Sequence, residues 1–101
     1  YNALFKATDI IAERIRALGH LAPAKLAEAK TFAPSATSVN HTTAAEMVAD
    51  LITDHEAAAR RIRDAGTKAD ENSDLVTTDM LTDRLDFHEK ALWMLRAIIA
   101  A

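Results

Sequence analysis

The sequence predicts an all-α fold: a four-helix bundle of which this chain holds the last three long helices, plus a short helix in a crossover connection. Three observations predict it. Apolar residues recur at helical spacing in three long stretches. Only two Gly and two Pro interrupt 101 residues rich in Ala, Leu, Glu and Arg, the good helix formers. The connection between the first two stretches is too long for a turn between neighbouring antiparallel helices, so it suits a crossover along the bundle.

The first stretch runs over 2–18. Leu4, Thr8, Ile11, Ile15 and Leu18 share a face, with Ala7 and Ile10 beside them, and Gly19 is a natural C-terminal stop. No capping residue precedes the pattern at Tyr1, and there is no initiator Met. The chain reads as the continuation of a helix begun upstream. Within the connector, 20–42, Pro23 can open a short helix over 24–30 and Pro34 closes it. The remainder is rich in Ser, Thr and Asn.

The second long stretch, 44–66, opens on a capping box formed by Thr43 and Glu46. Val48, Leu51, Ile52, His55, Ala59 and Ile62 make its apolar stripe, and Gly66 is expected at or near its end. The last stretch, 74–100, has Ser73 or Asp74 as its cap. Leu81, Leu85, His88, Leu92, Leu95 and Ile99 form one stripe, which Phe87, Ala91, Met94 and Ile98 widen. A helix apolar over so wide an arc contacts more than one partner. Three long helices can close a small bundle. The open start and the long crossover favour a larger bundle whose first helix precedes this chain, making residues 1–101 a single partial domain.

Composition narrows the function. The formal net charge is −3 and no basic run forms a nucleic-acid arm; Arg60, Arg61 and Arg63 point in different directions round a helix. There is no Cys, which excludes disulfides and thiolate metal sites. No apolar run approaches the roughly 20 residues of a membrane span. No Ser-His-Asp arrangement, P-loop or dinucleotide-binding glycine pattern is present.

The remaining candidates are carboxylates and histidines. Asp9 and Glu13, four apart, place two hard oxygen ligands on one helix face, roughly opposite the apolar stripe. On spacing alone the favoured reading is a solvated outer face, with Glu13 paired to Arg16. Asp74, Asp79 and Asp83 open the last helix. Asp79 and Asp83 share a face with Asp74 partly aligned; they suit the helix dipole, or would ring a cation entrance if three copies met on a threefold axis. His55 and His88 fall in apolar stripes and are expected as hydrogen-bonded core residues. His20 and His41 lie at helix ends. No Glu-x-x-His pair encodes a di-iron bundle site.

Three motifs carry a resemblance. Thr8-Asp9-Ile10-Ile11-Ala12-Glu13-Arg14-Ile15-Arg16-Ala17-Leu18-Gly19 resembles the second-helix signature of the Dps miniferritins, of the ferritin-like superfamily. Ala45-Glu46-Met47-Val48 through Asp54-His55-Glu56 is similar to their third helix. Leu81-Thr82-Asp83-Arg84 through His88-Glu89-Lys90-Ala91-Leu92-Trp93-Met94-Leu95-Arg96 is similar to their fourth. The order is the family's, and essentially the whole chain is covered.

The resemblance implies a cytoplasmic ferroxidase and iron-storage protein: a hollow dodecamer that oxidises ferrous iron, with hydrogen peroxide as oxidant, and protects DNA. It implies that Asp9 and Glu13 are the iron ligands from the second helix, completed across a twofold interface by histidines of a neighbour's first helix, which lies upstream of Tyr1. It implies that Asp79, and with it Asp74 and Asp83, line a threefold iron entrance. DNA binding in the family uses a basic N-terminal tail, which this sequence does not contain. The alternative reading is a shell protein that protects DNA without oxidising iron.

Overall fold

The computed structural model describes residues 2–22 and 43–100. These form three α-helices, α1 (Asn2–Ala17), α2 (Ala44–Glu71) and α3 (Leu75–Ala100), with no strand among the described residues. The all-α expectation holds. The short crossover helix expected over 24–30, and His41, lie outside the described residues. The chain divides into two units, Tyr1–Val39 and Asn40–Ala101.

In the first unit, α1 ends as Gly19 predicts. Gly19 takes φ 91°, its amide donates to the Arg16 carbonyl at 3.0 Å, and the His20 amide donates to the Ile15 carbonyl at 3.1 Å. That is the paired 5→2 and 6→1 bonding of a Schellman motif. None of the described α1 residues is buried. Leu4, Phe5, Ile10, Ile11 and Leu18 all remain exposed. Thr8, counted in the apolar stripe, instead donates its hydroxyl to the Leu4 carbonyl at 2.9 Å.

In the second unit, α2 and α3 form an antiparallel hairpin. Thr43 starts α2 as expected, its Oγ1 accepting from the Glu46 amide at 3.2 Å. Gly66 does not end the helix. Thr67, Lys68, Ala69, Asp70 and Glu71 continue it, because a single Gly lowers helix propensity by only about 1 kcal/mol and good formers follow.

The true stop lies at Asn72. Ser73 adopts φ 57°, donating its amide to the Asp70 carbonyl at 3.0 Å, while the Asp74 amide reaches the Ala69 carbonyl at 2.8 Å. This is a second Schellman motif, with Ser where Gly is usual. Asp74 then caps α3, accepting the Thr77 amide on Oδ1 at 3.2 Å and the Thr77 hydroxyl on Oδ2. One residue thus closes one helix and opens the next.

Ala59, Ala69, His88 and Leu92 are the buried residues of the hairpin. Small Ala59, 1% exposed, lets the helices approach closely. Two ion pairs cross between them on one flank: Arg96 Nη2 to Glu56 Oε1 at 2.8 Å and Arg63 Nη2 to Glu89 Oε1 at 3.0 Å. Phe87, Trp93, Met94, Ile98 and Ile99 of α3 stay exposed, so α2 covers only part of its wide apolar arc.

Two substitutions test the turn and the unbroken helix. At Gly66 an added Cβ meets nothing within 4 Å. Gly66→Ala is expected to stabilise by about 0.4–1 kcal/mol. Ser73→Gly relieves a left-handed residue and is expected to stabilise by about 1 kcal/mol. Each should raise the thermal midpoint; a fall at Gly66→Ala would show that the helix bends there.

Candidate functional site

Asp9 and Glu13 sit one turn apart on α1, and both are exposed. Among the described residues neither makes a hydrogen bond or ion pair. The expected Glu13–Arg16 pair does not form: Arg16 Nη1 turns to the His20 carbonyl instead, at 3.4 Å, where a helix end offers an acceptor without an intrahelical partner. Two carboxylates left uncommitted on one face can chelate a hard cation, yet a pair is only part of a coordination sphere. No group of three or more His, Asp or Glu side chains converges among the described residues.

The three aspartates of α3 separate into two kinds. Asp74 is half-buried and commits both carboxylate oxygens to Thr77. At about 100° per residue it lies roughly 140° round the helix from Asp79 and opposite Asp83, so the partial alignment expected of it does not survive. Asp79 and Asp83 are exposed, one turn apart.

A polar cluster lies where the two apolar stripes of the hairpin meet. His55 of α2 and His88 of α3 bring their Nδ1 atoms to 2.9 Å, so the two histidines expected in the core satisfy each other. Their ring centroids are 5.1 Å apart. Arg84, one turn before His88, donates from Nε to His88 Nε2 at 3.2 Å. Its guanidinium stacks over Phe87, 4.0 Å from the ring centroid.

This relay fixes the protons. Arg84 can only donate, so His88 Nε2 accepts and its ring carries hydrogen on Nδ1. That Nδ1–H donates to His55 Nδ1, which leaves the His55 hydrogen on Nε2. Burial first, then the charge of Arg84 and the neighbouring His55, holds the His88 imidazole below the ordinary histidine range. Burial likewise pulls Arg84 down. Arg84 Nη2 is buried with no acceptor among the described residues. The pair makes a poor metal site, since its inward lone pair is spent on the other ring and a guanidinium stands beside it.

Sequence reasoning placed the histidines but passed over Arg84. The available signal was an arginine at i−4 from a stripe histidine, a spacing that puts both on one face.

The geometry can be set beside known proteins. The whole chain, residues 1–101, matches the family model described as a ferritin-like domain. The chain belongs to the ferritin-like family. Within it the chain is of the Dps miniferritin type: over 95% of its length it is 36% identical to DNA protection during starvation protein 1 of Deinococcus radiodurans. It is 38% identical, over 98% of its length, to a low temperature-induced protein of Nostoc sp.. The crystal structure of antigen TpF1 from Treponema pallidum superposes with a TM-score of 0.92 at 34% identity, covering 100% of this chain and 65% of that one. The chain spans 56% of the Nostoc relative and 47% of the Deinococcus one, about half their length.

Because Asp9 and Glu13 have no structural partner, Asp9→Ala and Glu13→Ala are each expected to leave stability within about 0.5 kcal/mol of the parent. Denaturant midpoints check this. A large loss in either would mean that the residue serves the fold.

Proposed function

We propose that this chain is a ferroxidase and iron-storage subunit of a Dps-type shell, with Asp9 and Glu13 as its ligands for ferrous iron. The observation that carries the proposal is the pair itself: two exposed carboxylates, one turn apart, neither engaged by any described residue. Carboxylate oxygen suits a hard cation. Ferritin-like and Dps relatives support iron as the substrate.

The two carboxylates hold and orient the metal, and the rest of the coordination sphere is supplied by a second subunit. Two ferrous ions each lose one electron. Hydrogen peroxide accepts both, its O–O bond breaks, and with two protons it leaves as two waters. Ferric iron then accumulates within the shell. Asp79 and Asp83 are the residues proposed to line a cation entrance, where paired negative charge raises the local concentration of ferrous ions. Asp74, committed as a cap, is the weakest member of that set.

Assembly is part of the proposal. The exposed apolar residues of α1 and α3 suit cover by further helices of the bundle and by neighbouring subunits, in a dodecamer. Among the described residues no helix is long and apolar enough to cross a membrane. A cytoplasmic location and protection of DNA complete the reading; the latter parallels what the Deinococcus relative is named for.

Peroxide-dependent oxidation of ferrous iron, followed optically, tests the proposal. The protein in its native assembly should accelerate oxidation over buffer. Asp9→Ala and Glu13→Ala should each lower the rate by about tenfold or more, while Asp79→Asn should slow uptake without abolishing oxidation. Sedimentation of the same sample should show a large closed oligomer. A shell with no acceleration, indifferent to Asp9→Ala, would favour a protein that shields DNA without oxidising iron. A monomer would refute the shell itself.

A further inference from the structure

We propose that the Arg84–His88–His55 relay is an acid-sensitive lock on the α2–α3 hairpin, in which uptake of one proton by the histidine pair unlinks the two helices. The inference does not depend on the reading of Asp9 and Glu13.

In the relay each ring has one nitrogen able to take a proton, and both are already occupied as acceptors. His88 Nε2 accepts from Arg84 Nε at 3.2 Å, and His55 Nδ1 accepts across the 2.9 Å gap from His88. An added proton on His55 Nδ1 sets two N–H groups against each other, and the bond between the helices is lost. On His88 Nε2 it faces the Arg84 N–H and places an imidazolium beside a guanidinium. Arg84 cannot yield a proton at any ordinary pH, and the Phe87 ring holds it on its other side. One proton therefore costs one link of the chain wherever it lands.

Nothing described within the hairpin compensates the new charge. Within that unit the helix packed on α3 is α2. It faces His88 with His55, and α3 itself contributes Arg84; both act against protonation. The carboxylates beside the rings in sequence are committed elsewhere, Glu56 to Arg96 and Glu89 to Arg63. Asp54 is exposed and points away round α2. With His88 only 7% exposed, water cannot readily solvate an imidazolium there unless the helices part.

The direction follows from linkage. A histidine in the unfolded chain takes its proton near pH 6.5, and His88 in the hairpin takes one only at lower pH. Between those two values the unfolded state therefore binds more protons. The stability held by the relay is complete above about pH 6.5 and is lost as pH falls through that value toward the folded-state one.

Two measurements on the intact protein test the lock. Nitrogen NMR of the rings at pH 7.5 should find His88 protonated on Nδ1 and His55 on Nε2. The thermal midpoint should then fall by about 4 °C or more between pH 7.5 and 5.5, and His88→Gln and His55→Gln should each flatten that slope. The opposite tautomers, or a slope unchanged in both variants, would overturn the proposal. If neither variant folds, the unmodified protein still decides. Rings that titrate independently near pH 6.5 while the hairpin amide signals stay put would refute the lock. Titration coincident with loss of those signals supports it.

Discussion

The hairpin depends on how its turn is closed. Asp74 is the hinge of that closure. Its amide donates to the Ala69 carbonyl in the last turn of α2, and its carboxylate accepts the Thr77 amide in the first turn of α3. Helix ends otherwise leave up to four unmet backbone groups each, so a connection of three residues is possible only because one residue serves both ends. The tightness of the turn then sets which residues of α2 meet which of α3. The burial of Ala59 against α3, the meeting of His55 with His88 and both cross-helix ion pairs follow from that setting. Ser73 accepts a left-handed conformation, rare for a residue with a side chain, to make the geometry fit.

Much of this was legible in the residues themselves. Periodicity found all three helices, Thr43 marked the start of α2, and Gly19 marked the end of α1. Gly66 misled because glycine is a stop only where the chain needs a left-handed residue, and Gly66 stays helical within a run of good formers. The stop at Asn72 carries no glycine at all; its signal is the hydrogen bonding of Ser73 and Asp74, which composition does not display. Asp74 differs in kind from Asp79 and Asp83: it is the cap of α3, and its carboxylate accepts from Thr77.

The candidate iron ligands show the limit from the other side. Asp9 and Glu13 can be paired from spacing, since four residues make one turn. Spacing cannot distinguish a ligand pair from a solvated face, because a solitary subunit presents both in the same way. Membership of the ferritin-like family raises the first reading. Under the proposed function the completing ligands would belong to an assembly, and a sequence read one chain at a time does not bring them together. The histidines are the converse case. Each alone reads as a core residue, and only their meeting across the hairpin, with Arg84 behind them, fixes their protons.

The two cross-helix ion pairs run in opposite senses. On α2 the acidic member comes first, Glu56 then Arg63; on α3 the acidic member also comes first, Glu89 then Arg96. Each pair is largely exposed and adds at most about 1 kcal/mol. Their order does more than their strength. Sliding one helix past the other by a heptad would set Glu56 against Glu89 in one direction and Arg63 against Arg96 in the other. Apolar stripes repeat and would tolerate such a slip; these charges do not. These weak contacts thus reinforce, against slips in either direction, the alignment that the turn has already set.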